Sequence, residues 1–288
     1  MAKPPASVPP DVVAQHRRFN RNSAGRWDAF ADHRAQVMAL LHAAANGKTA
    51  PRLLVLGAGN CNDLDLPALA TTYREVHLVD LDDEALRAGA TRQLPGATNV
   101  VLHAPIDVTG FFGRLKALAK TTLGEAALTT EAIDGARAAL APLPGPFDVV
   151  ASTGLLSQLM HTCRISLGPT HSALGSFAQA IIVAHLHALV AVTAPSGTIL
   201  LVTDAASSHS YPLEELFPER QPRALIDELE ANENLLSGTG PAFLRRLIAA
   251  DPILKSALDG PAKVIDPWLW RLGDEITLLA YALEAKRR

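Results

Sequence analysis

The sequence predicts an α/β fold built on a doubly wound, mostly parallel sheet. Apolar runs of strand length alternate with helical segments, and several of these runs end in glycines or acids. Such alternation implies crossover connections, which make neighbouring strands parallel and place helices on both faces of the sheet. The chain has 288 residues, of which 48% are hydrophobic and 19% charged. That is enough apolar material for one large domain with insertions or for two smaller domains.

Two segments precede the predicted sheet. Residues 1–14 are rich in proline and are predicted to be disordered, and they lack the apolar core of a signal peptide. Residues 15–50 are predicted to be helical, with Arg34 on the apolar stripe. That stripe has helical spacing and consists of Trp27, Phe30, Val37 and Leu41.

Residues 51–206 form the predicted α/β core. Its five buried strands are expected at the run RLLVLGAG from Arg52, Glu75–Asp82, Asn99–Asp107, Phe147–Thr153 and Thr198–Ala205. The helices between them are predicted at 83–93, at 111–141 with a break near Gly124, and over a buried stretch that ends at Thr193.

The C-terminal third divides into two further segments. Residues 207–263 contain polar helical patterns, several prolines and the break SGTGP, which together predict an inserted helical cap. Residues 264–288 are predicted to supply the final strands of the core sheet, although the Ala and Leu content leaves a helix as an alternative. Trp268 and Trp270 lie on one side of an extended segment, where they suit core packing or the wall of an acceptor pocket.

The residues that follow the strands indicate the ligand, because open parallel sheets bind ligands at the carboxyl ends of their strands. Gly57 and Gly59 allow a tight turn and a close approach of a ligand to the main chain. Pro67 delays the next helix, so its N-terminal amides are poorly placed for a pyrophosphate. Asp63 and Asp65 would repel a pyrophosphate and attract an ammonium group, although either one alone is equally well explained as a helix cap.

Two more acids end the next strands. Asp80 ends the second strand, where one carboxylate can accept hydrogen bonds from two ribose hydroxyls. Asp107 ends the third strand, where it either accepts from an adenine amino group or forms an Asx turn. A nucleoside that carries an ammonium group and no phosphate corresponds to S-adenosylmethionine.

The order of these segments resembles that of the class I S-adenosylmethionine-dependent methyltransferases. The matching pieces are VLGAGNCNDLDL, HLVDLDDEAL, PIDVTG, FDVVASTGLLSQL and SGTILLVTD, spread over residues 53–204. The resemblance implies a seven-stranded, Rossmann-like sheet and S-adenosylmethionine as the cofactor. Two positions depart from the family pattern, because Leu54 or Val55 stands where the first strand often has an acid, and Cys61 replaces a third glycine.

The resemblance also implies a role for each residue at the strand ends. The methionine part of the cofactor is expected to contact Gly57, Ala58, Gly59 and Asn60. The ribose is expected to bind Asp80, with Leu81 beside it, and the adenine to lie against Ile106, Asp107 and Val108. Ser152 and Thr153 are expected to line the side from which the methyl group is transferred. The methionine ammonium is assigned to Asp63, Asp65 or the N-terminal helix, since the usual acid is missing. Arg34 is either a snorkelling side chain or a clamp for the cofactor's carboxylate.

Methyl transfer needs a nucleophile in line with the sulfonium, so a general base is optional. His161 and His171 follow the fourth strand and are the candidate catalytic bases, with an ordinary loop role as the alternative for each. His185 and His187 lie two positions apart on a predicted helix and face different directions, so they are predicted to be packing residues rather than a metal site. Both cysteines of the chain are expected to be reduced, packed thiols.

We therefore expect a methyltransferase that acts on a small-molecule or peptide-like acceptor. The fourth strand is not followed by the Asn/Asp-Pro-Pro-aromatic motif of many nucleic-acid and glutamine N-methyltransferases. The alternatives are an aminopropyltransferase that uses decarboxylated S-adenosylmethionine, an inactive methyltransferase-like binding subunit, and an NAD-dependent oxidoreductase. The net charge of −3 and the scattered basic residues give no nucleic-acid groove, and no apolar run has the length of a membrane span. A cytoplasmic location is expected, and a homodimer is left open.

Overall fold

The computed structural model describes residues 7–236, 238–273 and 276–288, apart from the side chains of Pro218 and Glu219. Within them the chain forms one seven-stranded sheet, as the resemblance implied. Its strands are β1 (Arg52–Leu56), β2 (Glu75–Val79), β3 (Val100–His103), β4 (Phe147–Thr153), β5 (Thr193–Ser207), β6 (Lys263–Arg271) and β7 (Thr277–Lys286). They are arranged in the order β3-β2-β1-β4-β5-β7-β6.

The sheet is mixed. The pairings from β3 to β5 are parallel, whereas β7 runs antiparallel to both β5 and β6. The prediction of a mostly parallel, doubly wound sheet therefore holds for the five-stranded core, and the final two strands are added as an antiparallel pair. The described part of the connection between β6 and β7 is short, with no helix that could reverse the chain direction, so the two strands pair as a hairpin.

The helices of the described residues connect and cover these strands. They are α1 (Pro10–Ser23), α2 (Ala31–Ala45), α3 (Leu66–Thr72), α4 (Asp83–Gln93), α5 (Phe112–Leu118), α6 (Glu125–Leu140), α7 (Leu156–Leu167), α8 (Leu174–Val192), α9 (Leu213–Glu219), α10 (Pro222–Ala231), α11 (Pro241–Ala250) and α12 (Pro252–Ala257). The predicted break near Gly124 is confirmed, because this residue separates α5 from α6. The helices predicted in 207–263 are α9 to α12.

The N-terminal segment corrects one prediction. Helix α1 begins at Pro10, so residues 10–14 are helical rather than disordered. Proline fits the first position of a helix because its missing amide hydrogen would have no partner there, and Asp11 adds a favourable charge to the first turn. Residues 1–6 of the predicted disordered lead-in lie outside the described residues.

Several strand boundaries also differ from the prediction. Strand β2 ends at Val79 and β3 at His103, three and four residues before their predicted ends, Asp82 and Asp107. Pro105 has no amide hydrogen with which to continue the ladder after β3. The turn predicted at APSG instead belongs to β5, which is longer than predicted and shifts register against β4 near Phe147.

Both faces of the sheet are covered, as predicted. Leu54 and Leu56 point into a core shared with α6, α7 and α8, while Leu53 and Val55 point into a core shared with α2, α3 and α4. Among the described helices α8 alone is long and apolar enough to cross a membrane by length and composition, and most of it is buried in the first core. Both cysteines, Cys61 and Cys163, are free and buried.

Candidate functional site

A pocket of about 560 Å³ opens at the carboxyl ends of β1, β4 and β5. Six of the residues predicted to bind the cofactor line it: Gly57, Ala58, Gly59, Asn60, Asp63 and Thr153. The end of β6 and the start of β7 supply much of the opposite wall through Trp270, Leu272, Ile276 and Leu278. The last turn of α1 closes one side with Asn22 and Ser23, and Arg26 follows in the turn after the helix.

The glycine turn needs its glycines. Gly57 has a φ of +82°, and a Cβ there would lie 2.8 Å from the Cβ of Leu155. Gly59 has a φ of +47°, and a Cβ there would lie 2.7 Å from Oδ1 of Asn20. Because both positions combine a left-handed backbone with a close neighbour, a larger residue at either would displace the loop that forms the pocket floor.

The two acids of the loop have different roles. Asp65 is the N-cap of α3, where its Oδ1 accepts a hydrogen bond from the Ala68 amide at 3.0 Å. The helix therefore begins late, as Pro67 predicts, and a carboxylate already occupies its N-terminus. Asp63 instead lines the pocket, and its buried Oδ1 accepts no hydrogen bond from the described residues.

Behind Asp63 lies a buried aromatic and histidine cluster. Trp268 Nε1 donates to His33 Nδ1 at 3.0 Å, so the neutral imidazole carries its proton on Nε2, which lies 3.5 Å from Asp63 Oδ1. Burial lowers the pKa of His33 to about 3, with the nearby Arg34 charge acting in the same direction. Burial raises the pKa of Asp63 to about 7, opposed by the charge of Arg34. The contact is therefore between a neutral imidazole and a carboxyl group rather than an ion pair.

Trp270 connects this cluster to the pocket. Its ring stacks on His33 with centroids 4.0 Å apart and meets Phe30 edge to face. Its Nε1 is buried and donates to no described residue, although the ring lines the pocket. Each of the two interpretations of the tryptophan pair therefore applies to one tryptophan: Trp268 packs inside the protein, and Trp270 lines the pocket wall.

The residues predicted to bind the nucleoside lie beside the pocket, beneath α1. Each oxygen of the Asp80 carboxylate accepts one main-chain hydrogen bond, from Gly59 at 2.8 Å and from Asp82 at 2.9 Å. Burial raises the pKa of Asp80. Leu81 and Val108 pack in the same core as Val12 of α1, and Ile106 lies against that core.

Asp107 forms the Asx turn that was the alternative to adenine binding. Its Oδ1 accepts from the amide and the hydroxyl of Thr109, at 3.0 and 2.6 Å, and its Oδ2 accepts from the Phe112 amide at 3.3 Å. These contacts hold the start of α5. The carboxyl group is thus engaged with the protein's own main chain.

Helix α1 lies against the residues that are predicted to bind the nucleoside. Asn20 donates to Asp82 Oδ2 at 3.2 Å, and its main-chain oxygen accepts from the Asn60 side chain at 2.6 Å. His16 Nε2 lies 3.1 Å from the Thr162 hydroxyl on α7. Within the described residues, segment 207–263, which is predicted to be a cap, contributes no side chain to this pocket. Its helices pack on β6, β7 and α8.

Arg34 and Ser152, both predicted to bind the cofactor, also lie outside the pocket lining. Arg34 Nη1 donates to the main-chain oxygens of Trp27 and Asn62, both at 2.9 Å, and its guanidinium lies over the Trp27 ring. It thus supports the pocket loop from behind rather than clamping a carboxylate. The Ser152 hydroxyl lies 2.9 Å from His185 Nε2 and faces α8.

The two candidate bases do not line the pocket, although the ring of His161 lies next to that of Phe19, which does. His161 is exposed on α7 and its ring lies 5.4 Å from that of Phe19, while His171 Nδ1 accepts from the Ala173 amide in a turn. His187, which was predicted to be a packing residue, is buried with its Nε2 2.7 Å from Asp251 Oδ2.

Sequence reasoning missed two groups of residues that line the pocket. Asp204 at the end of β5 and Ser157 at the start of α7 form a hydrogen-bonded pair. The available signal was the acid that ends the run TILLVTD, in the same position as Asp80 at the end of β2. Asn20 was missed because its segment shows no motif of its own.

A second groove of about 560 Å³ lies at the other end of β6 and β7, lined by Arg245, Arg246, Lys255 and Arg288 among others. These four basic side chains are exposed. The groove is separated from the glycine turn and from every predicted cofactor residue. It lies at the amino end of the parallel strands, so it does not fit a ligand site of an open sheet.

No protein-family model matches the chain, and no curated protein matches it. Similar solved structures include an S-adenosylmethionine-dependent methyltransferase from Anabaena variabilis ATCC 29413, with 12% identity, a TM-score of 0.49, and coverage of 100% of this chain and 99% of that one. They also include magnesium protoporphyrin IX methyltransferase (ChlM) from Synechocystis PCC 6803 with bound SAH, with 12% identity, a TM-score of 0.46, and coverage of 89% and 83%. The amino pentose methyltransferase CalS10 from Micromonospora echinaspora, in a SAM-bound structure, has 17% identity, a TM-score of 0.41, and coverage of 94% and 96%. At identities this low, the function has to be inferred from the residues of the pocket.

Proposed function

We propose that this chain is an S-adenosylmethionine-dependent methyltransferase that acts on a small-molecule acceptor. The observation that carries the proposal is the Asp63 carboxyl group, which is buried beside the glycine turn and accepts no hydrogen bond from the described residues. The nearest donor, His33 Nε2, lies 3.5 Å from Asp63 Oδ1 and forms no hydrogen bond with it. A charged carboxylate is therefore costly there, and an ammonium group of a ligand would offset that cost. A methionine moiety supplies such a group.

The loop fits this moiety better than a pyrophosphate. Asp65 caps α3, so an anion at that helix terminus would meet a carboxylate instead of free amides. Arg26 is the one basic side chain that lines the described part of the pocket, and its guanidinium donates to the Leu272 oxygen. The charge arrangement therefore disfavours a dinucleotide and supports a zwitterionic amino-acid group.

The nucleoside half requires a movement of α1. Asp80 uses one lone pair on each oxygen for main-chain amides, which leaves further lone pairs for ribose hydroxyls. Leu81, Ile106 and Val108 offer an apolar surface for an adenine once α1 separates from them. We assign no cofactor contact to Asp107, because its carboxylate accepts three hydrogen bonds from Thr109 and Phe112, two of them on Oδ1, whereas Asp80 accepts one on each oxygen.

The cofactor would supply a methyl group activated on a sulfonium. The chain's own residues would bind the amino-acid group at Asp63 and the glycine turn, bind the ribose at Asp80, and exclude water from the transfer side with Trp270 and Leu278. Positioning of this kind can provide most of the rate acceleration in methyl transfer.

Calorimetric titration with S-adenosylhomocysteine tests the proposal. We expect binding that weakens at least tenfold in Asp80→Ala, because a buried carboxylate contributes roughly 1.5–3 kcal/mol through its hydrogen bonds. No binding at about millimolar ligand would exclude the proposed function. Tighter binding of decarboxylated S-adenosylmethionine would favour the aminopropyltransferase, and binding of NAD would favour the oxidoreductase.

A further inference from the structure

A second carboxyl group, that of Asp204, faces the pocket from the end of β5. Asp204 is 5% exposed and lines the pocket, and its Oδ1 accepts a hydrogen bond from the Ser157 hydroxyl at 2.5 Å. Its Oδ2 accepts no hydrogen bond from a described side chain. The register of β5 against β7 shifts between Asp204 and Ala206, a local irregularity of the kind that re-aims side chains beside functional sites.

Two other polar atoms without a hydrogen-bond partner belong to residues that line the same pocket. Thr153 Oγ1 and Trp270 Nε1 are buried, line the pocket through their residues, and have no hydrogen-bond partner among the described residues. The lining also includes the apolar side chains of Leu272, Ile276 and Leu278 and the polar side chain of Gln158. The pocket therefore suits a ligand that combines one polar group with an apolar body.

The charge of the pocket selects the sign of that polar group. Asp63 and Asp204 both line the pocket, and the guanidinium of Arg26 already donates to the Leu272 oxygen. An anionic acceptor would add a negative charge beside two buried carboxyl groups, which is costly in a site of low dielectric. A cationic group would instead form a charge-assisted hydrogen bond with Asp204.

We propose that Asp204, oriented by Ser157, binds the amino group of a small apolar amine, which is the methyl acceptor, and takes the proton that this amine releases. The assignment rests on the proposed function, because it needs a methyl donor at the glycine turn. It adds the acceptor class and a catalytic residue to that function. Ser157 is a positioning residue, since it acts through Asp204.

The reaction is balanced by groups that the pocket provides. The protonated amine gives one proton to the Asp204 carboxylate, and the freed nitrogen lone pair forms a bond to the methyl carbon of the sulfonium, which yields the protonated N-methylamine. The carbon–sulfur bond breaks, and its electron pair stays on sulfur, which becomes a neutral thioether. Burial raises the pKa of Asp204, while the hydrogen bond from Ser157 opposes that rise, so Asp204 is a stronger base than an exposed carboxylate.

The first test measures binding of benzylamine to the protein saturated with S-adenosylhomocysteine, so that no methyl transfer is involved. We expect benzylamine to bind, and benzyl alcohol and benzoate to bind at least about tenfold more weakly. Asp204→Asn should weaken benzylamine binding by about tenfold or more, while its affinity for S-adenosylhomocysteine stays within about threefold of the wild type. Asp134→Asn, an exposed acid on α6, is the matched control and should bind both ligands as the wild type does.

The second test uses Ser157→Ala with S-adenosylmethionine and benzylamine. Loss of the hydroxyl removes a hydrogen bond to the charged Asp204 carboxylate and so raises its pKa, and the acid limb of the pH profile of kcat/KM should move to higher pH. If Ser157 had a purely structural role, the rate would fall but this limb would not move. The assignment is overturned if benzoate or benzyl alcohol binds as well as benzylamine, if none of the three binds at about 10 mM, or if Asp204→Asn retains wild-type benzylamine affinity. Failure of S-adenosylhomocysteine to bind would instead refute the proposed function.

Discussion

Replacing Asp63 by asparagine should stabilise the protein and weaken its cofactor binding at the same time. The substitution keeps the shape of the side chain and removes its charge. Burial raises the pKa of Asp63 from its ordinary value of 3.8 to about 7 in the folded protein. A carboxyl group whose pKa is raised on folding favours the folded state below pH 3.8, and that contribution is lost as the pH rises through about 7.

The size of the effect follows from these two pKa values. Each pKa unit corresponds to about 1.4 kcal/mol, so the charged form of Asp63 costs about 4 kcal/mol of folding free energy at pH 8. At pH 5 the folded protein keeps the carboxyl group protonated, and the cost falls to about 2 kcal/mol. Asp63→Asn avoids this cost, so its stabilising effect should grow between pH 5 and pH 8.

Urea denaturation of the wild type and of Asp63→Asn at both pH values measures the difference. Asp65→Asn is the matched control, because it makes the same chemical change two residues away, where asparagine caps a helix as well as aspartate does. Calorimetry on the same samples should show affinity for S-adenosylhomocysteine reduced by about tenfold to a hundredfold in Asp63→Asn. A destabilised Asp63→Asn at pH 8, or a stabilisation that does not change with pH, would refute the reasoning.

Three further predictions concern the same pocket. Gly57→Ala should lower the free energy of unfolding by about 2 kcal/mol, because the added Cβ meets Leu155 in a left-handed backbone, and chemical denaturation would show it. Asn20→Ala should speed the association of S-adenosylhomocysteine several-fold in stopped-flow measurements, because the substitution frees the space over Gly59 and removes the hydrogen bond between α1 and Asp82. An unchanged association rate would mean that α1 does not limit entry of the ligand. In Trp268→Phe, His33 loses the hydrogen bond from the indole, so the free energy of unfolding should fall by about 1 kcal/mol. An unchanged free energy of unfolding would show that this hydrogen bond contributes nothing.

The sequence contains most of the information about the loop that follows β1. Pro67 restricts where a helix can begin, and the short polar side chain of Asp65 matches the geometry of an N-cap, so the late start of α3 is a local property. The positions of the strands are also determined by the local sequence, because their apolar runs are bounded by glycine, proline or acids. Phe147–Thr153 was predicted with the boundaries that the structure has.

The roles of the charged side chains depend on contacts that are distant in sequence. Arg34 reaches the Asn62 oxygen, and Trp268 reaches His33 across more than two hundred residues, so no local pattern could show either contact. The position of α1 over the site is likewise a tertiary property, since its sequence only specifies a helix. Asp107 is an exception, because the contact that decides between its two alternatives is local and comes from Thr109, two residues further along the chain.

The buried thiol in the glycine turn makes the loop observable without any added label. Cys61 is fully buried, and burial together with the charges of Asp80 and Asp63 raises the pKa of its thiol, so the closed loop should resist alkylation. Alkylation of Cys61 therefore reports how often the loop opens, provided that Cys163 is replaced by alanine. A ligand that binds this turn should slow the reaction in proportion to its occupancy, so the rate of thiol modification provides a screen for cofactors that requires no knowledge of the acceptor.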